Sequence, residues 1–161
     1  MAAANGFMDA AITTTTHMNG SAIEQLKSFC RGELSAVETY RQALSSTSQE
    51  RIRDLLYRNL VSHEERVRVL EDRIRRLGGE PPEGSGPWGA FTNAIEGVAS
   101  VISETAALAI LEEGERHGVA DYRADLDNLD GESRLLVEQM LMPSQQRTHL
   151  AMHKLVGSLS Q

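Results

Sequence analysis

Four side chains able to bind a metal ion or carry a proton occur at related places in the chain: Glu33, His63, Glu115 and His149. Each lies on the stripe that a helical period of 3–4 residues would turn toward other helices. A buried carboxylate is costly unless it is paired, protonated or bound to metal. Two such carboxylates facing two histidines are therefore expected to share one polar site.

A short internal repeat contains the two glutamates. Segments 32–44 and 114–126 carry the same residue at six aligned positions: Gly, Glu, Val, Tyr, Arg and Leu. Tyr40 and Tyr122 thus follow the glutamates by seven residues, and we expect them to be core residues with satisfied hydroxyls. The repeat predicts two related helical hairpins with approximate two-fold symmetry.

Four helices are predicted to position these residues. The first starts at Ser21, where Glu24 would complete a capping box. The second spans about 49–77, the third starts at the cap Ser103, and the fourth spans about 132–155. Pro143 should kink the fourth helix or open a bulge. A connection over about 78–102, with a short helix at 88–101, is long enough to run along the whole bundle.

The overall composition fits an all-α domain. The chain has 161 residues, 40% hydrophobic and only 4% aromatic, and almost no segment resembles a strand. We expect an antiparallel four-helix bundle of two hairpins with a long crossover over residues 21–158, preceded by a flexible arm over residues 1–20.

Charge and hydropathy exclude several functions. A net charge of −7 argues against nucleic-acid binding, which needs a basic surface. No segment has the ~18 consecutive apolar residues of a membrane span, and the first twenty residues do not resemble a signal peptide. Cys30 is the only cysteine, which is compatible with a reducing cytoplasm. We therefore expect a cytoplasmic protein without nucleic-acid or membrane partners.

The second helix carries eight arginines between Arg51 and Arg76. Several have an acidic residue four positions earlier, as in Glu71 with Arg75, which is the order that supports an exposed helix surface. We expect the arginines to lie on a solvated face.

These motifs resemble the ferritin-like superfamily of the bacterioferritin and rubrerythrin type, and especially a group of uncharacterised bacterial ferritin-like proteins labelled a domain of unknown function. The similar parts are Glu33 through Tyr40, the segment from His63 to its Leu-Gly-Gly-x-Pro ending, and Glu115 through Arg123. The resemblance covers about residues 22–156. It implies a ferritin-like bundle in which four glutamates and two histidines hold two metal ions.

The chain departs from that pattern at two ligand positions. Leu60 stands where a Glu should precede His63 by three residues, and Gln146 stands where a Glu should precede His149. Four carboxylates balance the charge of two divalent ions, but two carboxylates do not. A di-iron oxidase or ferroxidase is therefore disfavoured.

Two interpretations of the site remain open. Glu33, His63, Glu115 and His149, with Gln146 as a neutral helper, suit one iron, manganese or zinc ion. Alternatively, the same residues form a hydrogen-bonded network without metal, which the lost ligands favour.

The sequence therefore favours a non-catalytic or weakly metal-binding module, stress-related or structural, and does not require a cofactor. We expect a homo-oligomer, a dimer or larger. The alternatives are a metal-dependent oxidoreductase or ferroxidase, and a metal-storage assembly.

Overall fold

A computed structural model describes the backbone of residues 3–86 and 104–159, with side chains from residue 19 onward in those ranges. The helices are α1 (Ala3–Ser46), α2 (Glu50–Arg76), α3 (Glu104–Ala124) and α4, which has three consecutive segments, Gly131–Leu136, Val137–Leu141 and Met142–Leu159. These ranges contain no strand. The predicted short helix at 88–101 lies outside the described residues.

The four helices pack as a bundle. Helix α1 packs mainly on α2, α3 packs mainly on α4, and further contacts join α1 to α3 and α2 to α4. Hydrogen bonds at the helix ends give the directions. Gln49, just before α2, donates to Glu104 at the start of α3, whereas Arg73 near the end of α2 donates to Asp130 beyond the end of α3. Helices α2 and α3 therefore run parallel, as a long crossover requires.

Helix α1 begins earlier than the sequence predicts. It is helical from Ala3, so the helix runs through Ser21 and the capping box expected there is wrong. The Ser21 hydroxyl bonds to the Asn128 carbonyl oxygen, and Glu24 forms an ion pair with Lys27 at 3.1 Å. Both side chains thus have other partners. The division into an arm over residues 1–20 and a bundle over 21–158 stays a prediction.

Glycine ends α2 as the sequence predicts. Gly78 has φ of 83°, a left-handed conformation that glycine adopts without strain. The Gly79 amide donates to the Ile74 carbonyl over 2.9 Å, which satisfies a carbonyl at the helix end. The chain then leaves the helix through Pro81 and Pro82, which cannot continue it.

Helix α4 adapts to its internal proline with a π-helical segment. Asp130 caps the start, because its side chain accepts from the amides of Glu132 and Ser133. Pro143 has no amide proton, and the turn before it widens so that the Met142 amide bonds to the Val137 carbonyl. The bulge predicted at Pro143 is thus confirmed.

The buried face of α4 differs from the predicted one. Leu135 and Leu150 are apolar but exposed, so hydrophobicity alone does not fix the phase of this helix, and the π segment interrupts regular counting. The buried positions along α4 are Ser133, Val137, Leu141, Gln145, Thr148 and Met152. Among the described residues, no helix is long and apolar enough to cross a membrane.

Candidate functional site

The bundle brings three of the predicted site residues together. His63 lies between two carboxylates, with Nδ1 2.7 Å from Glu33 Oε2 and Nε2 3.0 Å from Glu115 Oε1. The three side chains come from α2, α1 and α3, and all are at most 5% exposed. Glu33, His63 and Glu115 therefore form one buried cluster.

Arg66 completes this cluster, although the arginine pattern of α2 predicts a solvated position for it. It is 2% exposed, and its Nε donates to Glu33 Oε1 over 2.8 Å. Nη1 donates to the hydroxyls of Ser62 and Ser144, and Nη2 donates to Gln145 Oε1 over 2.7 Å. Nη2 also lies 2.7 Å from His63 Nδ1. The expectation of a fully solvated arginine face is wrong at this position and at Arg73, which is 8% exposed and donates to Ser133 and Asp130.

Two tyrosines link the halves of the repeat in a crossed arrangement. Tyr40 of the first half donates to Glu115 of the second over 2.6 Å, and Tyr122 of the second half donates to Glu33 of the first over 2.7 Å. Both rings are at most 2% exposed. The tyrosines thus act as satisfied core residues, as predicted, and each holds the carboxylate of the other hairpin.

Helix α4 contributes an amide and a hydroxyl to the cluster. Gln145 Nε2 donates to Glu115 Oε2 over 2.7 Å, and the Thr148 hydroxyl donates to the same oxygen over 2.7 Å. Asn59 Nδ2 supports this side by donating to the Tyr40 hydroxyl over 3.0 Å. Both Glu115 oxygens are therefore held by neutral or histidine donors.

The structure separates His149 and Gln146 from the cluster, contrary to the prediction. Gln146 is exposed, and Gln145 occupies the inward position. His149 is partly exposed and pairs with Glu112, its Nε2 lying 3.4 Å from Glu112 Oε1, close to His153. The predicted helical phase of α4 is wrong by one residue here. The prediction places Gln146 and His149 on the inner face, whereas the structure buries Gln145 and Thr148.

The electrostatics keep the cluster ionised. Burial raises the pKa of Glu33, but Arg66 and His63 outweigh it and hold the pKa at about 2. Burial likewise opposes ionisation of Glu115, yet His63 and the hydroxyl donors lower its pKa. Burial and Arg66 lower the pKa of His63, and the two carboxylates reverse this and raise it. The cluster thus holds two carboxylates and one guanidinium around a histidine whose pKa is raised.

The residues present do not fit the pair of metal ions that the resemblance implies. Arg66 balances the charge of Glu33, and His63, when it is protonated, balances that of Glu115. Both His63 nitrogens face carboxylate oxygens at hydrogen-bond distance, so neither offers a free lone pair to a metal when protonated. A metal ion would have to displace the guanidinium from Glu33.

A cavity of about 70 Å³ borders the cluster between α1 and α3. The repeated glycines Gly32 and Gly114 line it, and a Cβ at either would meet no atom within 4 Å. These glycines therefore leave space and are not required for close helix contact. Gly118 differs, because a Cβ there would lie 2.7 Å from Gln145 Nε2.

The sequence contains a weak indication that Arg66 is buried. It follows His63 by three residues, which places both on one side of α2. Ser62, four positions before it, cannot form the acidic pair that Glu71 forms with Arg75. An arginine on the apolar stripe without a local acidic partner is a candidate for a buried ion pair.

Comparison with protein families gives a match over residues 21–128. Residues 21–128 match a family described as a domain of unknown function, DUF2383. The match covers more than half of the 161 residues, so the chain belongs to this family. The search of curated proteins gave no match, nor did the search of solved structures.

Proposed function

We propose that this member of the DUF2383 family is a non-catalytic, ferritin-like helical module in which Arg66 occupies the place of a metal ion. One observation carries the proposal. The Arg66 guanidinium lies inside the carboxylate–histidine cluster and donates to Glu33, Ser62, Ser144 and Gln145. A cation with this many partners is a fixed part of the core.

The charge balance supports this function. A divalent ion bound at Glu33 and Glu115 would face the adjacent Arg66 guanidinium, which repels it, and a protonated His63 would add to this repulsion. A metal ion that displaced the Arg66 guanidinium from Glu33 would leave this guanidinium buried without a carboxylate partner, which is costly. The cluster therefore joins all four helices through ion pairs and hydrogen bonds.

The ferritin-like part of the proposal rests on symmetry. The repeat, the parallel α2 and α3, and the crossed Tyr40–Glu115 and Tyr122–Glu33 bonds are what two fused copies of one hairpin would produce. In ferritin-like bundles, equivalent glutamates meet at the centre. Here the same positions meet at His63, and the Arg66 guanidinium bonds to Glu33.

Metal analysis tests the proposal. The protein carrying His149→Ala and His153→Ala, which removes the imidazoles near Glu112, is incubated anaerobically with Fe(II), Mn(II) or Zn(II) and desalted. We expect no metal at the level of one ion per chain, and no oxidation of Fe(II) above the rate in buffer. Metal that is retained in this background and lost on Glu33→Ala would contradict the proposal.

A matched pair of arginine variants sharpens this test. Arg66→Met opens the cluster, whereas Arg68→Met changes an exposed arginine on the same helix. We expect Arg68→Met to leave metal content unchanged. Metal uptake that appears only with Arg66→Met would identify the guanidinium as the group that keeps metal out.

We also propose that the module self-associates. Tyr57 and Val61 lie one turn apart on α2 and are 60% and 42% exposed, so together they present an apolar surface. Light scattering over a range of protein concentrations is expected to give a dimer or larger species, weakened by Tyr57→Ser with Val61→Ser. A monomer at all concentrations would contradict this.

A further inference from the structure

Three potential metal ligands converge outside the central cluster, where α3 and α4 pack together. They are Glu112 on α3 and His149 and His153 on α4, and their ligand atoms all lie within 4.8 Å of one another. His153 Nδ1 lies 3.1 Å from Glu112 Oε1, and His149 Nε2 lies 3.4 Å from the same oxygen. None of these residues takes part in the Arg66 cluster.

The spacing suits a small, borderline-soft cation. Histidines at i and i+4 share one helix face, which lets two imidazoles reach one ion. Bonds of about 2.0–2.2 Å in a tetrahedral site place neighbouring ligand atoms roughly 3.4 Å apart. The distance from His149 Nε2 to Glu112 Oε1 is 3.4 Å, and that from His153 Nδ1 is slightly shorter at 3.1 Å. His153 is 70% exposed and so is free to adjust its ring as an ion enters.

The state of His149 is a second, independent observation. Its Nε2 is buried and has no hydrogen-bond partner among the residues that the structure describes. The approach to Glu112 is close enough for an ion pair, but its geometry is not that of a hydrogen bond. A buried nitrogen without such a partner is costly, and a metal ion between it and the carboxylate would satisfy both.

We propose that Glu112, His149 and His153 form a binding site for one divalent transition-metal ion, with Zn²⁺ as the best-fitting probe. Two imidazoles and one carboxylate supply three ligands, and the fourth position faces solvent through the exposed His153 side. The bound ion cross-links α3 to α4. This site goes beyond the proposed function, because it neither uses nor disturbs Glu33, His63, Arg66 or Glu115.

Zinc titration by calorimetry near neutral pH tests the site. We expect one Zn²⁺ per chain, with affinity reduced at least ~10-fold by His149→Ala and by His153→Ala. His117→Ala is the matched control, since His117 is an exposed histidine on α3 that pairs with Asp121. The control is expected to bind as the unmodified protein does.

Thermal unfolding gives an independent readout. Zn²⁺ at about 100 times its Kd is expected to raise Tm by roughly 5–10 °C, because the ion binds only the folded state. At the same Zn²⁺ concentration the rise should fall to about half or less in His153→Ala, an exposed position whose change leaves the fold intact. The proposal is overturned if Zn²⁺ does not bind, or if it binds equally well to both histidine variants. Binding that depends on Glu33 but not on His153 would refute this site and the proposed function together, whereas an absence of Zn²⁺ binding would refute this site and leave the proposed function standing.

Discussion

The guanidinium of Arg66 and the carboxylate of Glu33 form a buried ion pair between α2 and α1, with Nε 2.8 Å from Oε1. Both side chains are at most 5% exposed, so solvent screens the pair little. Neither residue has a local partner in the sequence that would explain its burial. The pair forms because the packing of the bundle brings the two residues together. Because Arg66 also bonds to residues of α2 and α4, loss of the pair should destabilise the packing of three helices.

Replacing Arg66 by methionine is expected to lower the free energy of unfolding by about 3–5 kcal/mol, because Glu33 loses its buried cation. Urea denaturation followed by circular dichroism measures the change. Arg68→Met, on the exposed side of α2, should stay within ~0.5 kcal/mol. Equal effects of the two substitutions would show that Arg66 is solvated.

The glutamates are expected to behave as a matched pair. Glu33→Ala leaves Arg66 without its carboxylate, and Glu115→Ala removes the carboxylate acceptor of His63 Nε2 and the Tyr40 hydroxyl. Each should cost about 3 kcal/mol or more in denaturant titrations. Glu65→Ala, at an exposed site on α2, serves as the control. Neutral results for both Glu33 and Glu115 would contradict the buried cluster.

Acid should destabilise the protein through Glu33. The folded pKa of about 2 lies below the ordinary value of 4.5, so the carboxylate stabilises the fold above pH 4.5 and loses that effect as pH falls toward 2. Its contribution at neutral pH is roughly 3 kcal/mol. Stability measured between pH 6 and 2 should fall less steeply in Glu33→Gln. An unchanged slope in that variant would rule out this origin.

A rise in pH should lower the stability of the fold through His63, whereas a fall in pH lowers it through Glu33. The folded pKa of His63 is raised above the ordinary value of 6.5, so the imidazolium stabilises the fold below about pH 6.5 and loses this effect as pH rises through the folded pKa. Following the His63 ring protons by NMR gives the pKa directly. A value below 6.5 would show that burial and Arg66 outweigh the two carboxylates.

Two glycines on α3 should respond in opposite directions to the same substitution. Gly114→Ala adds a methyl group in open space within a helix and is expected to stabilise by about 0.5–1 kcal/mol. Gly118→Ala places Cβ 2.7 Å from Gln145 Nε2 and 3.1 Å from its Cδ, which displaces the amide from Glu115 and Arg66. The expected loss is about 1–3 kcal/mol.

Thermal melts of the two alanine variants, made side by side, check this contrast. Both variants replace glycine by alanine in the same helix, so the gain in helix propensity is the same in each. The difference between their Tm changes therefore measures the effect on the Gln145 contacts. Equal changes in Tm would mean that Gln145 moves without loss.

The sequence by itself determined the four helices, the end of α2 at Gly78, the bulge near Pro143 and the meeting of Glu33 with Glu115. These depend on local period, on backbone limits of glycine and proline, and on an internal repeat, all of which are visible along one chain. The pairing of each tyrosine with the opposite glutamate was not visible, since it depends on how the hairpins cross.

Only the tertiary structure decided which polar residues of α2 and α4 enter the core. Arg66 differs from its exposed neighbour Arg68 by its angle around α2, and Gln145 differs from Gln146 by a single position after a π-helical turn. Long polar side chains carry little hydrophobic signal, so their burial is set by partners on other helices. The helical phase that follows the π-helical turn also directs His149 away from the centre of the bundle, so that it lies beside Glu112 and His153.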